Sequence, residues 1–325
     1  DAMRCNAMGW GGVGWDGMAA ACGLISLAAF QLRRWIRRRA IMRDYERLAA
    51  AKRAECASAL EGARTAGLSW SGCLEWAAAH NRRDEPPPAQ VVKMTATALI
   101  DEMMHGRLTS EYIVRCFIGR AMAVNEKLNC VTEQRYELAV AQAVERDTER
   151  ARGEVRGVLH GLPVSIKEQL HMQGFQSTCG ACCRLRAPPA TEDAVLVDAL
   201  TRAGAIPFVR TNVPQLLMLP ETFNAIYGTS RNPHALDRTP GGSSGGESAL
   251  IAAHGSPLGL GTDLGGSVRI PAHMCGIYAF KPTVERLSNV GIAVPRRGDR
   301  TGQQQARPAR HLLPATCCPP PAARH

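Results

Sequence analysis

The body of this chain has no net charge to offer a polyanion. Formal net charge is +10 over 325 residues, but the excess sits at the two ends. Residues 1–60 carry ten Lys/Arg against five Asp/Glu, and residues 291–325 carry six Arg against one Asp. A nucleic-acid footprint needs a basic patch on the folded body, so nucleic acid is not an expected partner. The phosphate-cradling loop G-x-x-x-x-G-K-[ST] occurs nowhere. Zinc spacing is lacking too: Cys179-Gly-Ala-Cys182-Cys183 holds one C-x-x-C, with no second ligand pair in register. The twelve cysteines are too irregularly spaced, in too long a chain, for a disulfide scaffold, and read as reduced thiols. Neither a metal nor a cofactor is expected.

Apolar residues make up 45% of the chain, enough for a sizeable core. Gly17 to Leu32 is free of charge, flanked by Trp15 and Trp35 and followed at once by Arg33, Arg34, Arg37, Arg38 and Arg39. As a helix, sixteen residues reach about 24 Å against a hydrocarbon core of roughly 30 Å, a gap that snorkelling arginines can close. The expectation is a single-pass anchor and basic flank over 1–39. The arginines would set the remainder on the cytoplasmic side of a membrane, with the endoplasmic reticulum as candidate. A cleaved signal would carry its charge ahead of the run; a buried helix is the competing reading.

Residues 40–93 read as a helical region and linker: 40–80 is Ala-rich helix, and NRRDEPPP (81–88) is a breaker. Helices are expected over 95–105, 110–124 and 134–152, with Thr109 or Ser110 capping the second. The pattern then changes. Strands are expected at 162–166, 206–210 and 257–262, and helices at 192–203 and 247–253. Such alternation argues for an α/β sheet with its chemistry on loops at strand ends. From about Arg296 the chain is rich in Arg, Gln, Pro and Ala without a period, so 293–325 reads as a disordered tail.

Three segments carry chemistry. In GLPVSIKE, Lys167 follows a short apolar strand, where desolvation can turn an ammonium into a base, although a lone lysine at a strand end is usually solvated. In PGGSSGGE (240–247), four glycines around Ser243 and Ser244 allow the backbone close to a ligand; the competing reading is a flexible linker. In GLGTDLGGSVRIP (259–271), a glycine turn after a strand can aim the N–H groups of Leu264, Gly265, Gly266 and Ser267 into one oxyanion-binding hollow. Ser267 at its rim is a candidate nucleophile that needs a base. His254 and His273 lie nearest in sequence but in no triad-like context. Asp263 and Arg269 bracket the turn as a pair that would pin it.

Together these segments, with TNVPQ (211–215) and CGIYAFKPT (275–283), resemble the amidase-signature family, and within it the fatty acid amide hydrolases. The resemblance covers about residues 94–292. It implies an α/β amidase-signature fold, a mixed sheet flanked by helices, with the C-terminal half missing. It further implies a serine amidase acting on fatty acid amides through Lys167 as base, Ser243 as bridging serine and Ser267 as nucleophile. Expected partners are a lipid amide substrate and a membrane, with a homodimer as a candidate assembly. Two other readings stand beside it: an inactive truncated isoform or gene-model fragment of such an enzyme, and a non-enzymatic membrane adaptor.

Overall fold

A computed structural model describes residues 15–80, 85–294 and 313–318, with side chains over 30–80 and 85–294. Two compact units divide at Arg47/Leu48. The first is the start of helix α1 (Trp15–Thr65). Every residue from Phe30 to Arg43 on it is exposed. No helix among the described residues is long and apolar enough to cross a membrane. From Phe30 onward the reason is the arginine cluster, so α1 there lends the expected anchor no support. Most of the uncharged run, 17–29, lies outside the residues with described side chains.

In the second unit α1 runs on to Thr65 and is followed by α2 (Trp70–Ala79), α3 (Pro88–Val91), α4 (Ala96–Met104) and α5 (Ser110–Leu128). Their starts follow from local chemistry. The hydroxyls of Ser69, Thr95 and Thr109 each accept a backbone N–H of the first turn. Pro88 sits at the first helical position, where its missing N–H costs nothing. Then come β1 (Val131–Gln134), α6 (Tyr136–Ala151), β2 (Pro163–Lys167), α7 (Val195–Arg202) and β3 (Ile206–Thr211). A short hairpin, β4 (Phe223–Asn224) and β5 (Gly228–Thr229), precedes α8 (Gly245–Ala252), β6 (Gly259–Asp263), α9 (Arg269–Cys275) and β7 (Tyr278–Phe280).

The main sheet is mixed. Strands β3, β2 and β6 run parallel, and β1 closes one side antiparallel to β3. Strands β2, β3 and β6 are buried along their whole length, as parallel strands covered on both faces must be. Ile113, Phe117 and Ile118 of α5, Val164 and Ile166 of β2, Phe208 of β3 and Leu250 of α8 belong to one continuous core. Part of the expected disordered tail is ordered: Leu313–Cys318 forms β8, antiparallel between β6 and β7. A strand edge supplies backbone partners without asking for a hydrophobic period, which is why the pattern gave no warning. Residues 295–312 and 319–325 lie outside the described part.

A buried ionic cluster ties α1 to the sheet. Glu133 of β1 lies 2.7 Å from Lys52 Nζ and 2.5 Å from Arg210 Nη1. Arg210 of β3 also donates to the carbonyls of Glu168, Leu170 and Gln176, fixing the segment that leaves β2.

Candidate active site

Lys167 is the last residue of β2 and is wholly buried. Its Nζ lies 2.8 Å from Ser243 Oγ, 2.8 Å from Thr262 Oγ1 and 3.4 Å from the Thr262 carbonyl. Thr262 stands near the end of β6, the parallel neighbour of β2. Its hydroxyl donates to Gln169 Oε1 at 2.6 Å, and Gln169 in turn donates to the Ala293 carbonyl at 2.7 Å. Lys167 is thus no solvated strand-end lysine. It is held among oxygen atoms, one of them on the glycine–serine loop.

That loop is built by close approach. A Cβ on Gly242 would meet the Glu221 carbonyl oxygen at 2.4 Å, so only glycine fits there. The Gly242–Ser243 peptide is cis. The two adjacent serines then part company. Ser243 faces Lys167, whereas the Ser244 hydroxyl lies 3.3 Å from the Thr262 carbonyl. The Ser244 N–H donates to the Ser267 carbonyl at 2.9 Å, which sets the two serine loops side by side. Ser267 is half-buried, and its hydroxyl bonds to no described residue.

The turn between β6 and α9 is organised by Asp263. Its Oδ1 accepts from Gly266 N–H at 2.8 Å and Arg269 Nη2 at 2.9 Å. Its Oδ2 accepts from the N–H groups of Val268 and Arg269 and from Arg269 Nε at 3.0 Å. Burial opposes the charge on Asp263, but the Arg269 guanidinium and the three backbone donors outweigh it and lower the carboxyl to about 2. Of the four N–H groups expected to line the oxyanion hollow, that of Gly266 donates to Asp263. The N–H groups of Leu264, Gly265 and Ser267 bond to no described residue. Gly266 has φ +125°, where a side chain would be strained and would press on Ile270.

Neither nearby histidine joins the site. His273 is exposed, and burial and the charges of Arg120 and Lys93 lower the pKa of His254; no hydrogen bond links either ring to the described site residues. Sequence reasoning missed Thr262 and Gln169 as partners of the lysine. It also missed Glu247, wholly buried, which accepts from Ser165 Oγ at 2.6 Å and Thr211 Oγ1 at 2.8 Å. An acid closing a Gly/Ser stretch at a helix start was the available signal, and it reads equally well as a solvated first-turn charge.

The family model described as Amidase matches residues 112–308. The chain belongs to the amidase family. It is 42% identical over 196 residues to an amidase of Gibberella moniliformis, covering 60% of this chain and 37% of that one. It is 43% identical over 194 residues to fatty-acid amide hydrolase 1 of Sus scrofa, covering 60% and 32%. A solved fatty acid amide hydrolase superposes with a TM-score of 0.62 at 33% identity, covering 64% of this chain and 37% of that one. The chain therefore spans well under half the length of these amidase relatives. The fold is that of amidase-signature enzymes, and the matched region contains Lys167, Ser243 and Ser267 together.

Proposed function

We propose that this site hydrolyses amides, and among them fatty acid amides, by acyl transfer to Ser267. The observation that carries the reading is the 2.8 Å contact between Lys167 Nζ and Ser243 Oγ, beside a loop that presents Ser267. Neutral Lys167 takes the Ser243 proton while Ser243 takes that of Ser267. The Ser267 oxygen attacks the amide carbon, and the N–H groups of Leu264, Gly265 and Ser267 face the developing oxyanion. As the C–N bond breaks, the proton returns from Lys167 through Ser243 to the leaving nitrogen. Water then displaces the acyl group by the same relay in reverse. Preference for an acyl chain rests on the likeness to a fatty-acid amide hydrolase and on exposed Leu264 beside the serine.

A second reading has its own observation. Leu264, Met274, Tyr278 and Phe280, around and beyond the serine turn, are all exposed apolar side chains. In that reading the chain holds the residues without turning substrate over. Labelling with a serine-reactive fluorophosphonate, followed by oleamide hydrolysis, separates the two. Adduct on Ser267 with turnover supports the amidase reading; a chain that takes neither label nor substrate overturns it.

A further inference from the structure

Glu247 brings a carboxyl into the core beside the lysine, and the steps above leave it without a task. It lies in the first turn of α8, four residues after Ser243. Its two oxygens accept from Ser165 on β2 and Thr211 on β3. Those partners are not arbitrary. Ser165 precedes Lys167 by two residues, so both side chains leave the same face of β2. Thr211 is the residue paired with Lys167 in register across β2 and β3. The third strand makes room: a Cβ on Gly259 of β6 would stand 2.1 Å from Glu247 Oε2. One carboxyl thus fastens the first turn of α8, just after Ser243, to β2, which carries the lysine, and to the end of β3 beside it.

Packing alone does not call for an acid here. A buried charge is weak evidence for stability, since a well-packed apolar side chain does as well or better. Burial pushes the Glu247 carboxyl up to about 7, with the Ser165 and Thr211 hydroxyls and the Lys167 charge pulling it back. The titratable group that acts on it is Lys167 on β2, and the Glu247 charge in turn helps raise the buried Cys130 thiol ahead of β1. Strands β3 and β6 present Thr211 and Gly259 to it.

We propose that Glu247 is a positioning residue for the hydrolysis proposed above: its carboxyl sets Ser243 against Lys167, and its charge acts on the lysine. The inference rests on that reading of the site and adds to it a coupling between two buried groups. Such a pair titrates jointly, so removing the acid must alter when the lysine becomes a free base. A negative neighbour favours the ammonium, so its removal moves the acidic limb of activity to lower pH.

The test uses the full chain and the second-order rate of fluorophosphonate labelling at Ser267, followed from about pH 5 to about pH 10. Glu247→Gln keeps the shape and both hydrogen-bonding positions while removing the charge. Its plateau rate should stay within about threefold of the parent, with the acidic limb lower by roughly half a unit to one unit. Glu247→Ala loses both contacts, and its plateau should fall about 10- to 100-fold without a change in half-saturating probe concentration. Thermal melting of Glu247→Gln checks that its fold is intact. A labelled parent whose profile overlays that of Glu247→Gln, with Glu247→Ala at the parental plateau, overturns the role of Glu247 alone. A folded parent that takes no label at any pH overturns the serine mechanism and this inference with it.

Discussion

Lys167 Nζ and Ser243 Oγ stand 2.8 Å apart although 76 residues separate them in the chain. The contact exists because β2 and β6 are parallel neighbours whose ends open on the same side, and the loop entering α8 crosses there. It sets the first prediction. An amine leaves poorly unless it receives a proton, whereas an alkoxide leaves more readily. Lys167→Ala should slow amide hydrolysis about 1,000-fold and hydrolysis of the matching ester about tenfold, within the range general acid–base groups supply. Steady-state rates on an amide and ester with the same acyl chain check this, and equal losses would make Lys167 structural.

The adjacent serines are separable by what they touch. Ser243 meets the lysine, Ser244 turns to the Thr262 carbonyl, and Ser267 alone of the three lacks a described hydroxyl partner. Ser267→Ala should abolish fluorophosphonate labelling. Ser243→Ala should slow it by about two orders of magnitude, a typical loss for a proton-transfer group. Ser244→Ala should change it by less than about tenfold, since a hydroxyl on a carbonyl is worth about one hydrogen bond. Mass spectrometry of the adduct decides the order, and label lost with Ser244 but kept without Ser267 reverses the assignment.

How much of this was legible follows from how each residue is specified. Strand β3 announced itself as an apolar run, and Lys167, Ser243 and Ser267 stood in short distinctive stretches. Thr262, Gln169 and Glu247 gain their places from strand register and from the seating of α8, neither of which is local. The sequence shows Asp263 as a partner for Arg269, but not as a carboxylate that also gathers the backbone N–H groups of Gly266, Val268 and Arg269. The boundary expected near residue 39 falls inside α1, because Ala-rich sequence continues a helix across a change in charge, and the two compact units divide within that same helix at Arg47/Leu48.

Stability should depend on the ionic cluster around Arg210, the neighbour in β3 of the Thr211 that pairs with Lys167. Arg210 and Glu133 are almost wholly buried and paired, with Lys52 of α1 as the acid's second partner. Arg210→Met would leave Glu133 half-compensated and strip donors from the carbonyls of Glu168, Leu170 and Gln176. Breaking one side of a buried pair costs about 3–5 kcal/mol, so the urea midpoint should drop steeply. Lys52→Met should cost less, because Arg210 keeps the acid paired. A smaller loss for Arg210→Met than for Lys52→Met would contradict this ordering.

The first unit invites a separate measurement. Phe30 to Arg43 is exposed throughout and carries six arginines, two of them over aromatic rings at Phe30 and Trp35. A polybasic segment gains about 1 kcal/mol per residue at an anionic lipid surface. The full chain should sediment with phosphatidylserine vesicles and be released by salt. Replacing Arg33, Arg34, Arg37, Arg38 and Arg39 by Gln should weaken that binding at least tenfold. Retention in high salt would point instead to insertion of an apolar segment.

Asp263 gives the last prediction, in which pH and catalysis are read from one carboxyl. Its pKa is lowered in the folded chain from an ordinary 3.8 to about 2, so the unfolded chain binds the proton more readily. The stabilisation is therefore complete above about pH 4 and is lost as pH falls through about 2. Asp263→Asn should be less stable than the parent at neutral pH, and the gap should close on acidification across that window. Other carboxyls titrate there too, so the difference between the two proteins is the quantity to measure. Arg269 is half-exposed and its share is screened by solvent, which leaves the backbone donors of Gly266, Val268 and Arg269 as the main holders of the charge. Asn can accept through only one oxygen, so the turn that carries Ser267 should loosen even where the chain stays folded. A displacement near 1 Å at a reacting group costs about 100-fold. Fluorophosphonate labelling of Asp263→Asn at pH 8 should fall by that order, while Arg269→Gln, which spares the backbone donors, should lose no more than about tenfold. Equal losses in the two variants would mean that the guanidinium, and not the gathered N–H groups, holds the serine turn in place.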